Sequence, residues 1–363
     1  MGVTQRIDAF QRRHRWVGLP LAVVYKFADD QGTYLAALLT YYGFLSLFPF
    51  LLIVVTALGA FLHDNEQLQR QVLHSALSEF PVIGDQIGQN IHSFQGNGVA
   101  LTVGILGSLY GGLGIAQAAQ YALNKIWAVP RHTRPDPFRS RVKGLLFLLV
   151  ATVGLGASTG LSVAASESDV FGTRFGVQLR LGITVVSVAL SALMLILASR
   201  MLTHRRIPVR RLWGSALGAA FVWQVLQWAG TYYVGHVLRG AGATYGMFGL
   251  VLGLIAWIYL GALVFVVAAE VSSVRTQRLW PRSLLTPFTD KVRLSWGDRR
   301  AYESYAVTET FKSFEDVNVH FRQHPPPPHP HPDHPDRPEG PEGPGGPKGP
   351  DGPEGDPPGG ERP

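Results

Sequence analysis

The chain has 363 residues, 47% of them hydrophobic and only 16% charged, and its 32 Lys and Arg exceed 25 Asp and Glu to leave a formal net charge of +7. It has no cysteine, which excludes disulfides, thiolate metal sites and cysteine nucleophiles and argues against redox chemistry. Its basic residues lie beside long apolar runs, so membrane topology explains the charge better than a nucleic-acid partner does, and no nucleic acid is expected.

The first segment, residues 1–31, reads as cytoplasmic and basic. Ile7, Phe10, Trp16 and Val17 are set among arginines, a pattern that predicts a helix lying at the inner membrane interface. No apolar core followed by a small-residue cleavage site is found there, so no removable signal peptide is expected. Asp30 stands where it can cap the helix that follows.

Residues 32–272 carry six apolar segments: Gly32 to Leu62, Val99 to Trp127, Gly144 to Ala165, Leu179 to Leu202, Leu212 to Gly235 and Gly246 to Ser272. Runs of roughly 18 or more apolar residues call for lipid as solvent. Backbone polar groups find no water in hydrocarbon, and these segments do not alternate as barrel strands do. The predicted fold is therefore an all-α membrane protein, a bundle of about six transmembrane helices with amphipathic outer-loop helices and a disordered C-terminal tail.

Lys and Arg set the direction. Arg6, Arg12, Arg13, Arg15 and Lys26 precede the first segment, Lys125 to Lys143 hold six basic residues, Arg200 to Arg211 hold five, and Arg275, Arg278 and Arg282 follow the last. The alternate loops carry only Arg70, then Arg174 and Arg180, then Arg239. The rich side belongs in the cytoplasm, which predicts both termini inside. The first outer loop, His63 to Gly98, has apolar residues at helical spacing broken at Pro81, as expected of short amphipathic helices that form a lid or a partner surface. A cytoplasmic juxtamembrane segment, 273–319, leads into a Pro/Gly-rich tail, 320–363, too poor in apolar residues to form a core.

Polar side chains at membrane depth need partners, which makes them pointers to a site. Tyr42, Ser46, Pro49 and Thr56 share one face of the first segment, where Pro49 predicts a kink. Gln117, Gln120 and Asn124, and likewise Gln224, Gln227 and Thr231, form polar stripes at i, i+3, i+7. Such stripes either hydrogen-bond between helices or line a substrate path. Glu270, the one acidic residue inside a segment, lies near an inner end, within reach of interfacial water or Arg275. A structural ion pair is the first reading and a proton relay the second. Glycine and serine recur at four-residue spacing, as in Gly107 and Gly111 or Gly214 and Gly218, a mark of close helix packing.

The stretch AALLTYYGFLSLFPFLL, Ala36 to Leu52, and the stretch YGMFGLVLGLIAWIYLGALVFVVAAEV, Tyr245 to Val271, resemble the first-helix and last-helix signatures of the YihY/BrkB family of bacterial inner-membrane proteins, formerly labelled ribonuclease BN. The resemblance covers about residues 1 to 290. It implies motif positions at Tyr41, Tyr42, Ser46 and Pro49, and at Tyr245, Gly246, Gly249, Tyr259 and Glu270. It brings no settled activity. The spans hold no cluster of His, Asp or Glu suited to phosphodiester hydrolysis.

The resulting expectation is a non-enzymatic protein with no cofactor and no metal site, which moves a lipid or hydrophobic metabolite along a polar cavity joining Tyr42, Ser46, Gln117 and Gln224. The alternative is an envelope scaffold, and a membrane-bound ribonuclease is the weakest reading. Membrane lipids are the expected partners, together with further copies of the chain or other envelope proteins.

Overall fold

A computed structural model describes residues 3–61, 98–167, 176–233, 239–289, 292 and 294–321. The first outer loop lies outside these residues, as does nearly all of the tail. Among the described residues the chain is wholly helical, with no strand. Two short helices open it, α1 (Val3–Arg13) and α2 (Arg15–Asp29). Six long ones follow: α3 (Gly32–Phe61), α4 (Gly98–Ile126), α5 (Pro137–Glu167), α6 (Gly176–Leu202), α7 (Val209–Tyr233) and α8 (Arg239–Gln277). The short α9 (Trp296–Thr308) closes the described chain.

Each predicted apolar segment is helical wherever it is described. Helix α3 runs through Pro49 without a break. Helix α5 starts seven residues before the apolar run, at Pro137, because proline fits the first helical position, where its missing N–H is not needed. Helix α8 has 39 residues, about 58 Å at the helical rise, far longer than the hydrocarbon core. Two stretches, Thr184–Leu202 and Val251–Gln277, are long and apolar enough to cross a membrane by length and composition.

The six long helices form a closed ring, in which α3 packs on α4, each helix on the next, and α8 back on α3, with α4 also reaching α6 and α8. The shared core lies toward the basic ends of the helices. Leu35 and Leu39 of α3, Leu123 and Ile126 of α4, Ile196 of α6, Leu212 of α7 and Val266 of α8 are all buried there. The outward faces carry large apolar side chains in the open, among them Leu106, Leu149, Val153, Phe221, Trp228 and Phe248. A water-soluble domain rarely leaves so continuous an apolar surface uncovered.

Three helix ends at the basic side turn on non-glycine residues with left-handed backbone: Gln31 after α2, Ala128 after α4 and Arg278 after α8. This conformation reverses the chain and closes the last carbonyls, usually at glycine. Asp30 belongs to this turn. It closes the C-terminal end of α2, where its N–H reaches Lys26 O, and its carboxylate pairs with Lys26. The expectation that Asp30 caps the following helix is corrected here, because the lysine one turn back captures the side chain.

The α3–α4 contact is the closest in the ring. A Cβ on Gly111 would lie 2.7 Å from the Cα of Ser46, and one on Gly114 would lie 2.2 Å from the ring of Tyr42. Gly218, by contrast, faces open space. Replacing Gly111 with valine should therefore force two backbones apart and cost about 1–3 kcal/mol. A melting curve in detergent should show this loss, while Gly218→Val should melt close to the parent; equal melting of the two variants would contradict the packing described.

Candidate functional site

The basic end of the ring is held by buried charge. On α2, Lys26 and Asp30 stand at i and i+4 and form an ion pair, and Lys26 also faces Glu270 of α8 at 3.4 Å. The Lys26 and Glu270 side chains are 1% and 0% exposed. Burial works against the lysine's charge, but the Glu270 and Asp30 carboxylates outweigh it, so Lys26 titrates above the ordinary lysine value. The ring of Tyr305, from α9, covers its ammonium at 5.7 Å. The partner of Glu270 is thus Lys26 and not Arg275, whose guanidinium lies beside Gly214 of α7 instead.

A second network surrounds Arg282, which follows α8 and is 1% exposed. Its Nε donates to Asp298 at 2.7 Å and its Nη2 to Asp29 at 3.2 Å. Asp298 also accepts from the backbone N–H groups of Ser283 and Ser295, the latter completing a capping box at the start of α9. The N-terminal helices join here: Gln11 donates to Arg282 O at 2.6 Å, Leu284 N donates to Asp8, and Tyr25 donates to Leu284 O at 2.7 Å. Burial opposes the charge of Arg282, but Tyr305, Asp29 and Asp298 raise its pKa above the usual guanidinium value. Burial and Asp29 push the Tyr305 phenol upward, so it remains a donor, to Asp29 at 3.0 Å.

The basic inner segments meet in this region. His204 N donates to Asn124, Arg205 to Trp127 O, Lys125 to Gln31, and Ser273 to Ile126 O. His132 N reaches Thr310 O, and Arg131 pairs with Glu309 at 2.7 Å.

A cavity of about 510 Å³ lies between α5, α6, α7 and α8. Phe147, Leu190, Met194, Trp223, Val264 and Phe265 are among the side chains that line it, with Ser191 as its one hydroxyl and alanine and glycine elsewhere. Toward the inner end, Leu195 and Phe265 are shared with a water-sized pocket bearing Ser199, Ser215 and Ser272, the last two hydrogen-bonded to each other.

The residues singled out from sequence fall into separate places. Tyr42 and Ser46 are half-buried at the α3–α4 contact, where Ser46 bonds to Gly43 O of its own helix. Tyr41 is exposed and meets Tyr42 edge to face. Gln120 is buried and exchanges hydrogen bonds with Ser140 of α5, and buried Asn124 holds the turn after α6. Gln117 is exposed, outside the ring core, because among the described residues no loop covers α4 at that depth as the 203–205 turn covers Asn124. Gln224 and Gln227 are half-buried on α7, and Tyr259 of α8 packs against the core. The side chains of Pro49 and Tyr245, and of Thr56 and Thr231, lie outside the described residues. The cavity found is apolar and bordered by α5 to α8, whereas the polar path expected from sequence would have been lined by α3, α4, α7 and α8.

Sequence reasoning missed Arg282, Asp298 and the cavity lining. Two local signals were available: the i, i+4 spacing of Lys26 and Asp30, and the Ser-x-x-Asp capping pattern at Ser295.

A family profile described as Virulence factor BrkB matches residues 23–289. Among curated proteins, a UPF0761 membrane protein of Alkalilimnicola ehrlichii is 28% identical over 261 residues, covering 70% of this chain and 57% of the relative. One of Psychrobacter sp. is 22% identical over 292 residues, covering 77% and 53%. One of Nitrosospira multiformis is 28% identical over 293 residues, covering 75% and 65%. The chain therefore spans a little over half to about two thirds of the length of these relatives. No solved structure matches the chain.

Removing Arg282 while leaving Asp298 buried strands a carboxylate, a loss of about 3–5 kcal/mol. Arg282→Leu should lower the melting temperature strongly and expose the segments around residues 284 and 296 to protease. Parent-like melting would show that the guanidinium does not hold this end together.

Proposed function

We propose, because this chain belongs to the BrkB family of membrane proteins, that it crosses the bacterial inner membrane six times with both termini in the cytoplasm and moves a lipid or another hydrophobic metabolite. The six-span reading draws on three observations. Six long helices close into one ring, their outward faces are apolar, and the Lys- and Arg-rich segments gather at one end. A basic end of this kind is retained on the cytoplasmic side.

The observation that carries the transport reading is the cavity between α5 and α8. Its volume falls in the range of sites for small molecules, and its walls offer apolar contact with one hydroxyl, Ser191. Water gains few hydrogen bonds in such a space, whereas an acyl chain meets Phe, Met and Trp side chains on every side. The polar stripes of α4 support a different role, since Gln120 and Asn124 hold neighbouring elements in place.

Two measurements test this reading. A reporter active only outside the cytoplasm should be silent when fused after Val129 or Ile207 and active when inserted within residues 63–98; the reverse pattern would overturn the orientation. In proteoliposomes, fluorescent phospholipid should cross faster with the protein than without it. Ser191→Phe and Ala219→Phe, which fill the cavity, should slow the movement roughly tenfold, an effect of about 1.4 kcal/mol on the barrier. Movement that is absent in the parent, or undiminished in both folded variants, would remove the transport proposal.

A further inference from the structure

The charges of Lys26, Asp30 and Glu270 do not sum to zero. One ammonium faces two carboxylates, and the three side chains are 1%, 4% and 0% exposed. Both oxygens of Glu270 are buried, and Lys26, 3.4 Å away, is its ion-pair partner.

Among the described residues, the surrounding charged groups are committed elsewhere. On α2, Asp29 is held by Arg282 and Tyr305. From the segment after α8, Arg282 is matched by Asp298 at the start of α9. On α4, Lys125 bonds to Gln31. On α8, Arg275 is exposed beside α7. Tyr305 offers its ring face to Lys26 and its hydroxyl to Asp29. Ala22, Val23 and Val274, one turn from Lys26 or Glu270 on α2 and α8, are buried and apolar. An unbalanced carboxylate in such a place is strongly unfavourable, and the smallest group that restores neutrality is a proton.

We propose that Lys26, Asp30 and Glu270 form a proton-binding site, in which one proton taken from the cytoplasmic side is held between the two carboxyl groups while Lys26 keeps its charge. The site joins the short helix α2 to the long helix α8, so occupancy by the proton and the closure of this contact are linked. This inference does not depend on lipid movement, and its test reads the proton itself.

The full chain in lipid nanodiscs, at neutral pH, is examined by infrared spectroscopy for the C=O stretch of a protonated carboxyl group. The parent should show the band. Glu270→Gln and Asp30→Asn each leave one carboxylate for one lysine and should each lose one carboxyl equivalent per chain. Lys26→Met leaves two carboxyl groups without a cation and should enlarge the band, while Glu303→Gln, at an exposed position of α9, should leave it unchanged. Glu270→Gln mimics the neutral carboxyl group and should melt near the parent; if it fails to fold, Asp30→Asn gives the same reading alone. Absence of the band in the parent, or its survival in the folded variants of Glu270 and Asp30, overturns the proposal.

Discussion

Charge that has been taken out of water must be matched inside the protein, and this requirement organises the inner end of the molecule. Lys26 and Arg282 are both nearly inaccessible, and each draws carboxylates from more than one element. Lys26 binds α2 to α8, and Arg282 binds the segment after α8 to α9 and α2. Because a buried ion stripped of its partner is far more costly than the pair is favourable, these contacts specify an arrangement more than they add stability. The short helices are thereby fixed to the ring, and the left-handed turns at Gln31, Ala128 and Arg278 bring the chain back into the same region.

The ring itself is unevenly packed. On one side, α3 and α4 approach until the backbone of one lies where a side chain of the other would be, with Tyr42 and Ser46 filling the contact. On the other side, α5 to α8 stand far enough apart to leave a cavity among Phe147, Met194 and Trp223.

The long helices were legible in the sequence because the bilayer demands uninterrupted apolar runs, and each such run gives its own signal. The ends of these helices were less so. Pro137 begins α5 well before its apolar run, since helix formation there follows proline geometry rather than hydropathy. The surroundings of Glu270 were only partly legible. That a lone glutamate near an inner end needs a cation could be read locally, but Lys26 lies almost at the opposite end of the chain, and the nearer Arg275 turns toward α7. The stripe from Gln117 to Asn124 illustrates a further limit. Helical spacing places residues on a face, but what covers that face, here a turn after α6 over Asn124 and, among the described residues, nothing over Gln117, depends on elements far along the chain. The cavity had no sequence signal at all, because it is lined by ordinary residues of four helices brought together from along the chain.

The bond from Gln11 to the carbonyl of Arg282, and that from Tyr25 to the carbonyl of Leu284, join the beginning of the chain to a point beyond its last long helix. During synthesis the first helices therefore emerge long before the residues that complete them. Until that moment Lys26 and Asp29 lack Glu270 and Arg282, and the inner end has no finished structure. A ribosome that stalls before residue 282 leaves a product in which Gln11, Tyr25 and Asp29 lack the partners that lie beyond α8. These contacts between distant parts of the chain can close only after translation has passed its last long helix.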